Sequence, residues 1–168
     1  MHAVTHGLHE GALTLAYNAI MRARSLSRRV LRPTTVGVRV VAADPDNRHI
    51  LLVRHRGGAR PWSLPGGGVD ARETLEDAAR RELREEAGCP GRVVALLGMY
   101  DAFGEGMSNH VAVFHCLPLG PARPPRGDLE IVDARFFPRH DLPANTEVGS
   151  MRRIAELAAG GSGLYREW

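Results

Sequence analysis

The sequence predicts an α/β domain with a mixed β-sheet and an additional helix at its N-terminus. The chain has 168 residues, which is the usual size of one domain. Hydrophobic residues make up 43% of it and charged residues 24%, the balance of a folded protein and not of a disordered one. Short β-type segments alternate with longer helical segments, as is typical of helices packed on a sheet.

Composition excludes several classes of chemistry. All 22 basic residues are arginine, which excludes lysine Schiff-base chemistry and the phosphate-binding lysine of a P-loop. The net charge of +3 does not demand nonspecific nucleic-acid binding. No secretory signal or membrane-spanning run is recognisable, so we expect a cytoplasmic protein. Cys89 and Cys116 lie far apart among apolar residues and are predicted to be core thiols.

The N-terminal region predicts a basic helix over residues 11–31 that ends before Pro33. Its apolar residues fall near one helical face and are followed by four arginines: Arg22, Arg24, Arg28 and Arg29. Two interpretations stay open. The helix either docks on the domain with its arginines in water or contacts an anionic surface or partner.

Residues 36–53 predict a β-hairpin. Valines alternate with other residues over 36–41, the turn formers Asp, Pro, Asp and Asn occupy 44–47, and residues 50–53 are apolar. A calcium loop is disfavoured here because the central glycine and terminal glutamate of that pattern are missing. An arginine-rich and glycine-rich connection then leads to three successive glycines at 66–68.

The clearest helix covers residues 74–87, which contain neither glycine nor proline and precede Gly88, a natural C-terminal cap. The remaining pattern predicts strands over 93–100 and 111–117 with the loop 101–109 between them, a surface loop over 118–127, a strand over 130–137, and a helix over 151–159.

Three glutamates of the 74–87 helix, Glu82, Glu85 and Glu86, are spaced so that their carboxylates lie on one side. Two of them also occupy the last turn, where the helix dipole disfavours negative charge. Like charges this close raise one another's pKa unless a cation neutralises them, and carboxylate oxygens suit Mg²⁺ or Mn²⁺. The cluster therefore indicates a metal site.

A solvated surface helix is the competing interpretation of the same segment. The pairs Glu76–Arg80 and Asp77–Arg81 have the favourable spacing of four residues and would stabilise such a helix. This interpretation does not explain the repulsive spacing of Glu82 and Glu86, nor the glycines just upstream.

These residues resemble a known motif. Gly67, Glu73 and the run Arg-Glu-Leu-Arg-Glu-Glu-Ala-Gly-Cys at 81–89 are similar to a complete Nudix box, which covers 23 residues at set spacings. Cys89 is a mild departure, because the family prefers a branched aliphatic residue there. The similarity extends over about residues 33–159 and leaves the N-terminal helix outside it.

The resemblance implies a Nudix-type α/β/α sandwich with a mixed β-sheet. We expect a basic helical extension over residues 1–32, a Nudix hydrolase domain over 33–160 and a C-terminal tail over 161–168. The implied activity is Mg²⁺-dependent hydrolysis, with Mn²⁺ as a possible substitute. It would cleave a diphosphate linkage in a nucleoside diphosphate linked to another moiety, by attack of water at phosphorus.

By similarity, four groups would bind the metal: the carboxylates of Glu82, Glu85 and Glu86 and the backbone carbonyl of Gly66. Glu73 and Arg81 would orient this cluster. Glu82 is the first candidate for the base that takes the proton of water, with Glu130 and Glu105 as outside candidates.

Arg54 and Arg56 lie at the end of a strand just before the glycines and could bind phosphate oxygens. Solvated arginines at a strand end would look the same. Trp62 could stack on a base, although core packing is the favoured interpretation.

The substrate is not fixed by the sequence. A small nucleotide-like substrate is the first hypothesis, and an RNA-directed, decapping-like pyrophosphohydrolase is the alternative that the basic helix would suit. A non-catalytic nucleotide-binding domain is less favoured because every glutamate of the box is present. The resemblance also leaves a homodimer possible.

Overall fold

The computed structural model describes residues 11, 14–16, 18–20, 34–57, 61–104, 107–124 and 130–168. Seven strands and two helices have defined bounds in this part of the chain. In chain order they are β1 (Thr34–Ala42), β2 (His49–His55), β3 (Trp62–Ser63), α1 (Leu75–Ala87), β4 (Gly91–Gly104), β5 (Met107–Pro118), β6 (Ile131–Pro138), α2 (Val148–Ala158) and β7 (Leu164–Glu167).

The strands form two sheets. A four-stranded mixed sheet has the order β1-β5-β4-β7, with β4 and β5 antiparallel and the other two pairs parallel. A second, antiparallel sheet has the order β3-β2-β6. Helix α1 contributes Leu83 to one core cluster, whereas α2 contributes Ile154 to another. The predicted α/β/α arrangement with a mixed sheet is confirmed, and the second sheet is an addition that the pattern did not indicate.

The predicted hairpin over residues 36–53 is wrong, although its turn is present. β1 pairs in parallel with β5, whereas β2 pairs with β6. One isolated bridge, between Ala43 and Ile50, and the turn at Asp44 are what join the two segments. Successive residues of each strand are buried in different core clusters, as Val40 and Val41 illustrate. Both faces of each strand are therefore covered by the core, whereas the predicted hairpin would be expected to leave one face in solvent.

The predicted loop over 101–109 is also wrong in its described part. Residues 101–104 continue β4 and residues 107–109 continue β5, and Asp101 lies opposite His110. The carboxylate of Asp101 lies 2.8 Å from His110 Nδ1 and accepts a hydrogen bond from the Tyr165 hydroxyl. Polar cross-strand partners of this kind stabilise a pairing that hydrophobic alternation does not indicate. Glu105 lies outside the described residues.

The C-terminal end contains a strand where a tail was predicted, whereas the described N-terminal residues are helical, as predicted. Residues 164–167 of the predicted tail form β7, which pairs with β4, and the indole of Trp168 packs on Gly149 of α2. At the other end, residues 11, 14–16 and 18–20 are helical and expose Leu15 and Ile20. The arginines of the predicted basic helix lie outside the described residues.

Helix α1 has the ends that its sequence predicts. The Thr74 hydroxyl accepts a hydrogen bond from the backbone N–H of Asp77, and Gly88 adopts the left-handed conformation at the C-cap. Cys89 and Cys116 are buried free thiols, as predicted. In the part of the chain that the structure describes, every helix is too short or too polar to cross a membrane.

Candidate active site

The glycine loop is seated on β1. Backbone N–H groups of Val38 and Val40 donate hydrogen bonds to the carbonyls of Gly67 and Pro65, each at 2.9 Å. Gly66 has a φ of 149°, and a Cβ there would lie 2.1 Å from the carbonyl oxygen of Val38. A residue with a side chain would therefore displace the loop from the strand.

The loop also touches the acidic face of α1. A Cβ on Gly67 would lie 2.4 Å from Glu82 Oε1, so the missing side chain leaves the space that this carboxylate occupies. On the next turn, Glu86 Oε2 accepts a hydrogen bond of 2.8 Å from the backbone N–H of Gly66. The glycines thus bring two carboxylates of α1 against the backbone of the loop.

Burial of these two carboxylates has an electrostatic cost. Glu82 and Glu86 are each only 8% exposed. Burial raises the pKa of Glu86 to about 7, although the Gly66 hydrogen bond and the nearby His55 and Arg39 oppose the shift. Burial likewise raises the pKa of Glu82. An unoccupied pair therefore favours a bound proton, and a divalent cation would replace that proton.

Arg81 holds together the remaining acidic residues of the box. Its Nε donates to Glu73 Oε1 at 2.8 Å, and its Nη1 donates to Glu82 Oε1 at 2.8 Å and to Glu85 Oε2 at 3.1 Å. The hydrogen bond from Arg81 lowers the pKa of Glu73 to about 2. These contacts agree with an orienting role for both residues, whereas the predicted Asp77–Arg81 pair is wrong because the guanidinium turns toward the cluster.

Two further residues, His55 and Glu130, lie beside this cluster, and His55 was not singled out from the sequence. His55 Nε2 lies 4.0 Å from Glu86 Oε1, and His55 Nδ1 lies 3.6 Å from Glu130 Oε1. The pairing of β2 with β6 sets His55 opposite Ile131 and so places Glu130 beside the site. Only knowledge of that register would have identified His55.

Arg39 was also missed. Its Nη1 donates hydrogen bonds to the carbonyl oxygens of Leu64 and Gly66, at 3.0 and 2.9 Å. The Gly66 carbonyl is one of the predicted metal ligands, and a carbonyl oxygen has a second lone pair for that purpose. Arg39 lies in a strand in which valines alternate with other residues, and an arginine at such a position does not by itself indicate a functional role.

The two predicted phosphate-binding arginines differ in their surroundings. Arg54 Nη2 lies 3.4 Å from Asp133 Oδ2, and its guanidinium lies 5.1 Å from the centre of the Trp62 ring. Arg56 is only 5% exposed. Trp62 packs edge-on against Phe137 at 4.7 Å and is buried, as its favoured interpretation predicts.

The donor set fits a hard divalent cation. Carboxylates of Glu82, Glu85 and Glu86 share one side of α1, and the backbone N–H of Gly66 contacts one of them, Glu86. Oxygen donors of this type suit Mg²⁺ and Mn²⁺. Glu85 is the most exposed of the three, which leaves one side of the cluster open to solvent and substrate.

Comparison with known proteins gives one consistent family. The model of the NUDIX domain matches residues 33–157. The protein named mutator protein MutT4 of Mycobacterium tuberculosis is 37% identical over 107 residues, which are 61% of this chain and 43% of that protein. An ADP-ribose pyrophosphatase of Methanocaldococcus jannaschii is 32% identical over 102 residues, 60% of each chain.

Two further similarities bear on function and fold. An RNA pyrophosphohydrolase of Caulobacter vibrioides is 49% identical over 80 residues, which are 43% of this chain and 45% of that protein. A NUDIX hydrolase structure from Nitrosomonas europaea has a TM-score of 0.68 at 26% identity and covers 78% of this chain and 93% of that one. The chain thus spans from 43% to 60% of the length of these curated relatives.

Proposed function

The chain belongs to the NUDIX domain family, and we propose that it is a Mg²⁺-dependent hydrolase that cleaves a diphosphate linkage in a nucleoside diphosphate linked to another moiety. The observation that carries this proposal is the pair of buried glutamates, Glu82 and Glu86, held one turn apart against the glycine loop. Two negative charges four residues apart destabilise a helix, whereas a divalent cation would compensate both charges. Residues 33–160 would form the catalytic domain.

Some residues of the Nudix box would bind the cation, and others would position those ligands. Glu82, Glu85, Glu86 and the Gly66 carbonyl would hold the cation, which when bound neutralises substrate charge and stabilises the charge that develops at phosphorus. Arg81 fixes the rotamers of Glu82 and Glu85 by hydrogen bonding to both. Glu73 in turn orients Arg81.

Glu82 is the proposed acceptor of the proton from the attacking water. Burial raises its pKa, which makes the carboxylate a stronger base than one in water. Glu130 is the second candidate, because its carboxylate lies beside His55 at the open edge of the cluster. Arg54, beside Asp133 and partly exposed, and Arg56 are proposed to bind phosphate oxygens of the substrate.

A small nucleotide is the first proposed substrate class, and RNA with a 5′-phosphorylated end is the second. The name of the Methanocaldococcus relative supports the first class, and the name of the Caulobacter relative supports the second. The arginines of residues 21–32 would favour a polyanion through phosphate contacts. Location in the cytoplasm, a homodimer and an anionic partner of the N-terminal helix stay predictions from the sequence.

A substrate screen tests the proposed activity. Nucleoside triphosphates, ADP-ribose, nucleotide sugars, dinucleotides and a 5′-triphosphorylated RNA oligonucleotide are incubated with Mg²⁺, and the products are identified by mass. We expect cleavage between two phosphorus atoms of at least one compound. Glu85→Gln should lower that activity by at least about tenfold, because it removes a charged ligand but keeps the side-chain shape.

Glu76→Gln is the matched control for the screen. Glu76 lies on the same helix, pairs with Arg80 and is half exposed, so its substitution should leave the rate unchanged. Full Mg²⁺-dependent turnover by Glu85→Gln would show that the ligand assignment is wrong. Failure of the wild-type protein to cleave any of these compounds would contradict the proposed activity.

A further inference from the structure

His55 occupies an unusual position between two carboxylates. It ends β2, and its ring is 22% exposed. Its two nitrogens face different partners: Nε2 is 4.0 Å from the buried Glu86, and Nδ1 is 3.6 Å from the half-exposed Glu130. One ligand atom from each residue lies within 4.8 Å of those of the other two. Three side chains, from β2, from α1 and from the residue just before β6, therefore converge on one small volume.

This arrangement matches the way proteins orient a histidine ligand. A metal-bound imidazole uses one nitrogen for the metal and donates the N–H of the other nitrogen to a carboxylate or a carbonyl. Glu130 Oε1 lies just beyond hydrogen-bond distance of Nδ1, so a small shift would let it accept from Nδ1–H and leave the lone pair of Nε2 directed at the side of Glu86. Two ligand atoms at about 2.1 Å from one ion lie about 3 to 4 Å apart, so the observed separation from Glu86 needs little adjustment.

The hydrogen bonds of Arg81 strengthen this assignment. Its guanidinium donates to Glu73, Glu82 and Glu85 and so partly neutralises that side of the cluster. Glu86 lies on the other side, where Oε2 accepts from the backbone of Gly66 and Oε1 faces His55. The hydrogen bonds of Arg81 are thus directed at the other glutamates, whereas the carboxylate of Glu86 faces the imidazole and is also subject to the positive charge of Arg39.

We propose that His55 Nε2 is a nitrogen ligand of the divalent ion held by Glu86, with Glu130 accepting a hydrogen bond from Nδ1–H. The inference rests on the proposed function only in that a divalent ion must bind at Glu86. A nitrogen ligand favours Mn²⁺, Co²⁺ or Zn²⁺ over Mg²⁺, which prefers oxygen. The preference of the site for a transition metal over Mg²⁺ is therefore larger than that of a site made of glutamates and carbonyls alone.

Pulsed EPR spectroscopy of bound Mn²⁺ tests the assignment without an assay of activity. The protein is loaded with one equivalent of Mn²⁺, and coupling between the electron spin and a nitrogen nucleus is recorded. We expect imidazole coupling in the wild-type protein, its loss in His55→Ala, and its retention in His49→Ala. His49 begins the same strand and is half exposed, which makes it a matched control.

Competition between metals provides the second measurement. The Mn²⁺ affinity of His55→Ala should fall at least about tenfold, while its Mg²⁺ affinity changes much less. Bound Mn²⁺ without imidazole coupling in the wild-type protein, or coupling that persists in His55→Ala, would overturn the nitrogen ligand and leave the proposed hydrolase untouched. Absence of saturable Mn²⁺ and Mg²⁺ binding would overturn both.

Discussion

Glu82→Gln is expected to lower kcat by about 10²- to 10⁴-fold, the range associated with loss of a general base. The substitution keeps the volume of the side chain and its acceptor for Arg81 Nη1, but it removes both the negative charge and the basic oxygen. The measurement is steady-state hydrolysis of the compound found in the screen, at saturating Mg²⁺. Because the fold is unchanged, circular dichroism and the elution volume should match those of the wild-type protein.

The comparison between Glu82→Gln and Glu130→Gln separates the two candidate bases. Glu82 is buried against Gly67, whereas Glu130 is half exposed beside His55. If Glu82 is the base, Glu130→Gln should retain more than about a tenth of the activity, as expected for a positioning residue. A kcat of Glu82→Gln within about twofold of the wild-type value would remove Glu82 from the mechanism.

Arg153→Ala is expected to destabilise the protein by about 3–5 kcal/mol, the cost of breaking a buried ion pair. The Arg153 side chain is 2% exposed, and its Nε lies 2.8 Å from Glu156 Oε2. Its guanidinium is 3.8 Å from the centre of the Tyr100 ring and 5.5 Å from that of Trp168. Loss of this cation removes the buried ion-pair partner of Glu156, which keeps Arg166 and the Tyr100 hydroxyl, and leaves two rings without their cation, so β7 and α2 lose a shared anchor.

Urea unfolding of Arg153→Ala and Arg152→Ala measures this effect. Arg152 is the preceding residue on the same helix, but it is exposed, so its substitution should change the free energy of unfolding by less than about 0.5 kcal/mol. Unfolding free energies within about 1 kcal/mol of each other in the two variants would show that the buried cation contributes little.

The part of the site that lies on one helix was predictable. Spacing alone places Glu82, Glu85 and Glu86 on one side of α1, and the cap residues at 74 and 88 fix its ends. Local rules also indicate a function for the arrangement, since it places acidic residues where the helix itself disfavours them. The sequence of this one helix therefore indicated both its bounds and the unfavourable placement of its glutamates.

The non-local parts were not predictable in the same way. The pairing of β2 with β6 brings His55 and Glu130 together, and nothing local to either residue specifies that register. The same limit explains the wrong hairpin, because β1 and β2 pair with the distant strands β5 and β6 and not with each other. At the C-terminus, residues 164–167 form β7 by pairing with the edge of β4, a partner that their own sequence does not indicate.

Melting of wild-type protein and Glu86→Gln at pH 8, with and without Mg²⁺, tests most directly whether a cation compensates the buried carboxylates. Folding raises the pKa of Glu86 from 4.5 to about 7, so the unfolded chain loses this proton at a lower pH than the folded one. The free energy of unfolding therefore decreases as pH rises from about 4.5 to 7. Above that range the folded protein carries the full cost of the buried negative charge.

We predict that Glu86→Gln is more stable than the wild type by about 1–3 kcal/mol without metal, because the amide still accepts the Gly66 hydrogen bond but carries no charge. Mg²⁺ should then raise the melting temperature of the wild type and have little effect on Glu86→Gln. A metal-free Glu86→Gln that melts below the wild type, together with equal Mg²⁺ stabilisation of both proteins, would contradict the account.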